Sequence, residues 1–275
     1  MRAPNDQAMI VATGLSREFQ RADGQRVQAL AEVSFAIERG QFVCIVGPSG
    51  CGKSTLLQMI AGLLLPSGGT IEVNGAPVTG PGPERGMVFQ KDSVFPWLRV
   101  IRNVEYGLKC RGVDRAERRR IAGVYLERVG LSHVAWAWPR ELSGGMLKRV
   151  AVATVFANGA DVLLLDEPFG AVDYVTKRLL HEVLLTLWSE AETGARRTVA
   201  FVTHDVDEAL ILADRILVMH GGRIVDDLAV GASRPRTTDT LLEPDMVRHK
   251  HVLLTHLGLE TRSPAAAGPA LRVAP

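Results

Sequence analysis

Nine consecutive residues, Gly47-Pro48-Ser49-Gly50-Cys51-Gly52-Lys53-Ser54-Thr55, have the types and spacing to hold a polyphosphate. Their glycines let the backbone turn tightly, so successive N–H groups point inward at phosphate oxygens. A helix starting there adds the positive end of its dipole. Lys53 is expected to reach the β- and γ-phosphates of a nucleotide, and Ser54 to offer its hydroxyl to Mg²⁺. Context favours this over an ordinary Gly-rich turn. The apolar, strand-like run Phe42–Val46 precedes the segment, helix-compatible residues 55–65 follow it, and Pro66 stops them.

Two further segments could complete such a site. Leu165-Asp166-Glu167-Pro168 ends the apolar run Val162–Leu165 with adjacent acids. Asp166 is expected to hold Mg²⁺ directly or through water, and Glu167 to polarise the attacking water as general base. Two acids capping a strand before Pro168 are the plain alternative, and their order after the phosphate loop favours the metal and base roles. Leu142-Ser143-Gly144-Gly145-Met146 opens a helix expected to run to about Ala157, and its Ser and glycines offer a second phosphate-binding surface. Inside one copy that surface is redundant; facing the nucleotide of another copy, it is not. Alone, the pentapeptide would read as an N-capped helix.

The elements that must position these groups alternate. Residues 10–15 and 28–37 read as strands around a polar turn at 22–24, and Thr70–Val73 with Asn74-Gly75 reads as a hairpin. A short strand, 86–89, ends at Gln90. Helical patterns at 100–109 and 114–129, with a turn at 136–139, suggest a separate helical lobe. The run 162–165 is apolar throughout, as in a strand buried on both faces. An amphipathic helix over 175–192, a strand over 198–203, a helix over 206–213 and a strand over 215–219 follow. This order predicts an α/β fold, a mostly parallel sheet covered by helices. Residues 263–275, rich in Ala, Gly and Pro, are expected to be disordered.

The 275 residues suffice for a substantial core, and a net charge of +2 leaves no global basic field that would call for nucleic acid. The densest basic cluster, residues 115–120, reads as a solvated helix face. Three cysteines without framework spacing suggest reduced thiols in a cytosolic setting. Cys51, beside a helix N-terminus and Lys53, is expected to feel a lowered pKa. No signal-peptide pattern opens the chain, and no apolar run approaches the roughly 18 residues that span a bilayer. Any membrane role is therefore expected to come through a partner.

Together, in this order, the motifs resemble those of the ATPase subunits of ATP-binding cassette (ABC) transporters, over roughly residues 10–230. The resemblance implies a P-loop NTPase cassette over 1–232, with an N-terminal antiparallel β subdomain and an inserted helical subdomain at about 91–156. A short extension, 233–275, follows. Residue by residue, it implies that Phe19 stacks on adenine and that 47–55 bind ATP and Mg²⁺. Gln90 then senses Mg²⁺ and water and links the site to a permease. Leu142–Met146 match the signature motif, Asp166 and Glu167 the Walker B pair, Asp173 in Ala171-Val172-Asp173 the D-loop, and His204 the switch histidine at the γ-phosphate. A His after a strand would by itself more often be structural.

Met87-Val88-Phe89-Gln90 with Phe95-Pro96-Trp97-Leu98, Asp166–Gly170, Phe201–Ala209 and Arg234-Pro235-Arg236 are similar to the nitrate/sulfonate/taurine importer ATPases. This implies an ATP-sandwich dimer, peripheral on the cytoplasmic face of the membrane. Integral-membrane permease subunits would be direct partners and an extracytoplasmic solute-binding protein an indirect one. Phe95, Pro96 and Trp97 would touch the permease's coupling helix, or else pack only within the helical lobe. A non-transport ABC ATPase and an exporter ATPase are the alternatives. Phe19, Met146, Lys148, Thr154 and Val172 depart from the commoner family residues, and none of these removes a group needed for chemistry.

Overall fold

The computed structural model describes residues 8–20, 24–91, 93–170, 172–189 and 196–259. Two sheets share the chain. The first is antiparallel: β1 (Ala8–Gln20), β2 (Arg26–Glu38), β4 (Gly68–Val73) and β5 (Ala76–Pro77) lie in the order β2-β1-β4-β5. Asn74 and Gly75 both take positive φ between β4 and β5, the backbone that a two-residue hairpin turn demands. The second sheet joins β3 (Phe42–Val46), β6 (Arg85–Val88), β7 (Val162–Asp166), β8 (Thr198–Thr203), β9 (Arg215–His220) and β10 (Arg223–Ala229). Its order is β10-β9-β3-β8-β7-β6, parallel except where β10 pairs β9.

β3, β7 and β8 are buried at every position, which is why their sequences are continuous apolar runs rather than alternating ones. Helix α1 (Lys53–Ile60) lies between the two sheets and sends Leu56, Leu57, Met59 and Ile60 into a core shared with Ile10, Leu30, Val43 and Ile45. A second core lies on the other face of the large sheet. It gathers α2 (Val100–Cys110), α3 (Arg115–Arg128), α4 (Gly144–Ala157), α5 (Tyr174–Ser189) and α6 (Val206–Leu212).

Two expectations need correcting. Helix α1 stops at Ile60, five residues before the last apolar position. Gly62 turns the chain at φ +76, so close to Gly80 that a Cβ would press into its carbonyl. Arg85 caps the freed end, donating to the carbonyls of Ile60 (3.1 Å) and Gly80 (2.7 Å). The arginine cluster on α3 is also not wholly a solvated face. Arg119 and Arg118 turn inward with Arg102 onto Glu105, a carboxylate of α2 that is 2% exposed. A buried acid needs such partners. The extension beyond 232 carries a helix. Helix α7 (Pro244–His256) buries Met246 and Leu253, and ties Lys250 to Asp207 (2.6 Å) and His256 to Asp226 (2.9 Å). Residues 22–23, 190–192 and 263–275, expected to hold the rest of a turn, a helix end and disorder, lie outside the described residues. Among the described residues no helix is long and apolar enough to cross a membrane.

Candidate nucleotide-hydrolysis site

The loop between β3 and α1 is shaped by what crowds it. A Cβ at Gly47 would strike the Met219 carbonyl at the end of β9. Gly52, at φ +104, leaves no room between itself and Ala29 of β2. Only glycine fits at either point. Lys53 is buried and spans the loop, its Nζ donating to the carbonyls of Gly47 (2.8 Å) and Pro48 (2.9 Å), with Cys51 Sγ at 3.9 Å. Cys51 is the correction here. Burial raises its pKa and outweighs the lowering influence of Lys53, so the thiol is less acidic than the neighbouring cation alone implies.

A cavity of about 280 Å³ opens on this loop, and a larger one of about 630 Å³ lies between the 93–97 segment and α4. The smaller is lined by Ala29, Ser49, Gly50, Gly52, Lys53, Ser54, Thr55, Gln90 and Glu167. Ser54 Oγ donates to Asp166 Oδ1 at 2.9 Å. Burial pushes the Asp166 carboxyl above its ordinary value, against the pull of that hydrogen bond. Glu167 is the junction of the site. It sits at φ +43, a rare backbone for a non-glycine residue, just past the end of β7, with its N–H on the Val202 carbonyl at 3.0 Å. Its Oε2 accepts from Gln90 Nε2 at 3.1 Å and lies 3.2 Å from His204 Nδ1.

Phe19, Ser143, Gly144, Gly145 and Asp173 do not line this cavity. Phe19, near the end of β1, is 38% exposed, with the Arg17 guanidinium 4.8 Å over its ring. Ser143 caps α4, its Oγ accepting from Met146 N at 3.3 Å. Asp173 caps α5, accepting from Thr176 N (3.0 Å) and Oγ1 (2.6 Å), bonds that hold its carboxyl below the usual range. Gly144 lines the larger cavity with Phe95, Pro96, Trp97, Leu147 and Lys148.

Sequence reasoning gave no contact to several participants. Lys148 donates from Nζ to the Gln90 carbonyl at 3.1 Å, joining the signature helix to the loop that carries the site's glutamine. Its partial burial lowers its pKa. Gly222 braces the phosphate loop, donating to the Cys51 carbonyl at 3.2 Å and accepting from Ala31 N at 2.8 Å. Around His204, a buried set comprises His181, Thr203 and Glu208, with Lys177 and Asp205 at its edge. Only the Asp205-x-x-Glu208 spacing, that of a helix N-cap box, hinted at this set.

A glycine-lined anion cradle, a hydroxyl–carboxylate pair beside it and a carboxylate met by Gln90 and His204 define a P-loop nucleotide hydrolase. Residues 30–170 match the family model described as ABC transporter. The chain is 44% identical to the nitrate import ATP-binding protein NrtD of Synechocystis, over 92% of this chain and 97% of that protein. It is 45% identical to the taurine import ATP-binding protein TauB of Chromobacterium violaceum, over 82% and 85%. Its fold matches a dimeric, post-hydrolysis structure of the ATP-binding cassette MJ0796 bound to ADP and Pi. That match has a TM-score of 0.71 at 29% identity, covering 82% of this chain and all of that one. The chain belongs to the ABC transporter family, as an ATP-binding and ATP-hydrolysing cassette.

Proposed function

We propose that this chain energises uptake of a small anionic or zwitterionic solute, of the nitrate, sulfonate or taurine kind, through a membrane permease. The observation that carries the catalytic part is the convergence of Gln90 and His204 on Glu167 Oε2 at the wall of the phosphate cradle. Lys53, Gly47, Pro48, Ser49, Gly50, Cys51, Gly52 and Thr55 hold the phosphates. The Lys53 ammonium exchanges loop carbonyls and a weak sulfur acceptor for phosphate oxygens, which are better partners for a cation. Phe19 offers a ring face to adenine.

Ser54 and Asp166 fit Mg²⁺. A hydroxyl and a carboxylate, 2.9 Å apart beside the cradle, are the hard oxygen donors this cation takes when phosphates supply the rest, and Gln90 stands near them. When bound, the cation would neutralise charge on the phosphates. Glu167 accepts the proton of the attacking water, and His204 and Gln90 fix that carboxylate's direction. In-line transfer needs such positioning more than covalent help.

Ser143 and Gly144 are exposed at a helix start, with Gly145 packed beside Thr176; the three would close over the nucleotide of a second copy, with Asp173 at the seam. Dimeric cassettes among the structural relatives support this reading. ATP then favours the closed dimer and hydrolysis releases it. The cassette spans 1–232 with its helical subdomain at 91–156, and 233–275 form a short extension. The larger cavity, with Phe95, Pro96 and Trp97, receives the permease at the cytoplasmic membrane face. A solute-binding protein outside the membrane would deliver the cargo. The import names of two relatives support direction and solute class.

The test is uptake of labelled nitrate, taurine and an alkanesulfonate by cells lacking this protein. The cells are complemented with wild type or Glu167→Gln. One solute restored by wild type alone is the expected result; no difference for any solute refutes the import assignment.

A further inference from the structure

Both chain neighbours of His204 are tied to helix α5. Thr203 donates its hydroxyl to Glu208 Oε2, and the other oxygen of that carboxylate meets His181 Nε2 on α5 at 2.8 Å. Asp205 caps α6 by accepting from Glu208 N at 3.1 Å, and its second oxygen pairs with Lys177 Nζ on α5 at 2.9 Å. Asp205 N returns to Thr203 Oγ1 at 3.0 Å, closing the ring of bonds around the turn. Lys177 and His181 are four residues apart, one helical turn, so both project from one face of α5.

That face also reaches the other half of the catalytic contact. The His181 ring lies 5.7 Å from Phe169, two residues past Glu167, and Phe169 packs on Phe201 of β8 at 5.7 Å. The same helix starts one turn before Lys177, capped by Asp173, whose carbonyl accepts from Lys177 N at 2.9 Å. His204 itself is 62% exposed at the side chain, so its own packing does little to aim it. Its aim comes from the backbone on either side.

Burying the His181–Glu208 pair carries a desolvation penalty that an apolar pair would avoid. What the polar pair adds is direction, since hydrogen bonds fix an angle that apolar contacts leave loose. We propose that Lys177 and His181 are positioning residues for ATP hydrolysis. Through Asp205 and Glu208 they hold the His204 turn in fixed register with α5, so a shift of the Asp173 turn at the dimer seam moves the histidine against Glu167. This rests on the catalytic roles given above to Glu167 and His204.

The experiment compares Lys177→Met, His181→Leu and His181→Gln in the full chain. It measures steady-state kcat and KM for Mg·ATP, binding of a fluorescent ATP analogue, and thermal melting. Misplacing a positioned group by an ångström costs up to roughly 10²-fold. Lys177→Met and His181→Leu are each expected to lower kcat roughly 10- to 100-fold with nucleotide affinity little changed. His181→Gln, whose amide still donates to Glu208, is expected to recover most of the rate. In a His204→Ala background, Lys177→Met should lower kcat no further, because the group it positions is gone. Lys177→Met alters a part-exposed pair and decides the matter if His181→Leu does not fold. Unchanged kcat in folded Lys177→Met, or full additivity with His204→Ala, overturns the proposal. Glu167→Gln runs alongside: if that variant is inactive while the clamp variants are normal, only the clamp fails, and if it hydrolyses normally, the catalytic reading fails first.

Discussion

Replacing Glu167 by Gln separates proton acceptance from geometry in this site. The Glu167 Oε2 atom takes a bond from Gln90 at 3.1 Å and faces His204 at 3.2 Å. A glutamine of the same length can place its amide oxygen there and keep the Gln90 donor, so the wall of the cradle keeps its shape. What it loses is the carboxylate that takes the proton of the attacking water. A positioned general base contributes about 10²- to 10⁴-fold. At 1.36 kcal/mol per tenfold, that is roughly 2.7 to 5.4 kcal/mol of barrier. Lys53, Ser54 and the loop amides are untouched, so ATP affinity is expected to stay within about twofold of wild type, well under 1 kcal/mol. The assay is single-turnover hydrolysis of labelled ATP with enzyme in excess, which removes product release from the rate, paired with equilibrium nucleotide binding. A variant that binds ATP normally and turns it over at least 10²-fold more slowly meets the expectation. A single-turnover rate within threefold of wild type would sink the general-base role.

Three further outcomes follow from the geometry. Cys51, with its thiol pushed up by burial, should alkylate more slowly than exposed Cys110, and more slowly again with Mg·ATP bound. Peptide mapping by mass spectrometry reads this, and equal Cys51 labelling with and without ATP would place the loop away from the phosphates. Gly62→Ala forces a Cβ onto a φ of +76 against the Gly80 carbonyl, and should destabilise the fold by about 2 to 5 kcal/mol in a denaturant titration. An unchanged midpoint and slope would contradict the packing of that loop. Asp205 concerns acid stability. Burial raises its carboxyl, but the bonds from Lys177 and the Glu208 amide outweigh this and hold it below its ordinary 3.8. A depressed folded-state value contributes stability that is present above the unfolded value and lost as pH falls through the folded one. Wild type should therefore lose more stability than Asp205→Asn between about pH 5 and pH 2, and parallel curves would refute the pairing.

What was legible in the residues was what local backbone demands write into them. The phosphate loop announces itself because its glycines, lysine and hydroxyls are contiguous, although the crowding that requires glycine at 47 and 52 comes from Met219 and Ala29; the buried strands are legible because both faces are covered. The end of α1 was misread because residues 63–65 continue an apolar pattern. It is the loop at Gly80, well separated in sequence, that turns the chain at Gly62. Cys51 was misread for a related reason. Lys53 and the helix end are visible in the sequence, whereas the burial that outweighs them belongs to the fold.

The polar contacts across long separations were the least legible. Gln90 meets Glu167 across 77 positions and His181 meets Glu208 across 27. Neither pair has a periodicity, so Gln90 was found only through family likeness, and His181 not at all. Both contacts converge on the turns after β7 and β8, where parallel strands end side by side and their following residues, Glu167 and His204, are brought within 3.2 Å. An open parallel sheet gathers its chemistry at the carboxyl ends of its strands. The register Asp166 against Val202 makes the carboxylate and the histidine neighbours, and the helices behind them decide how well the two are aimed.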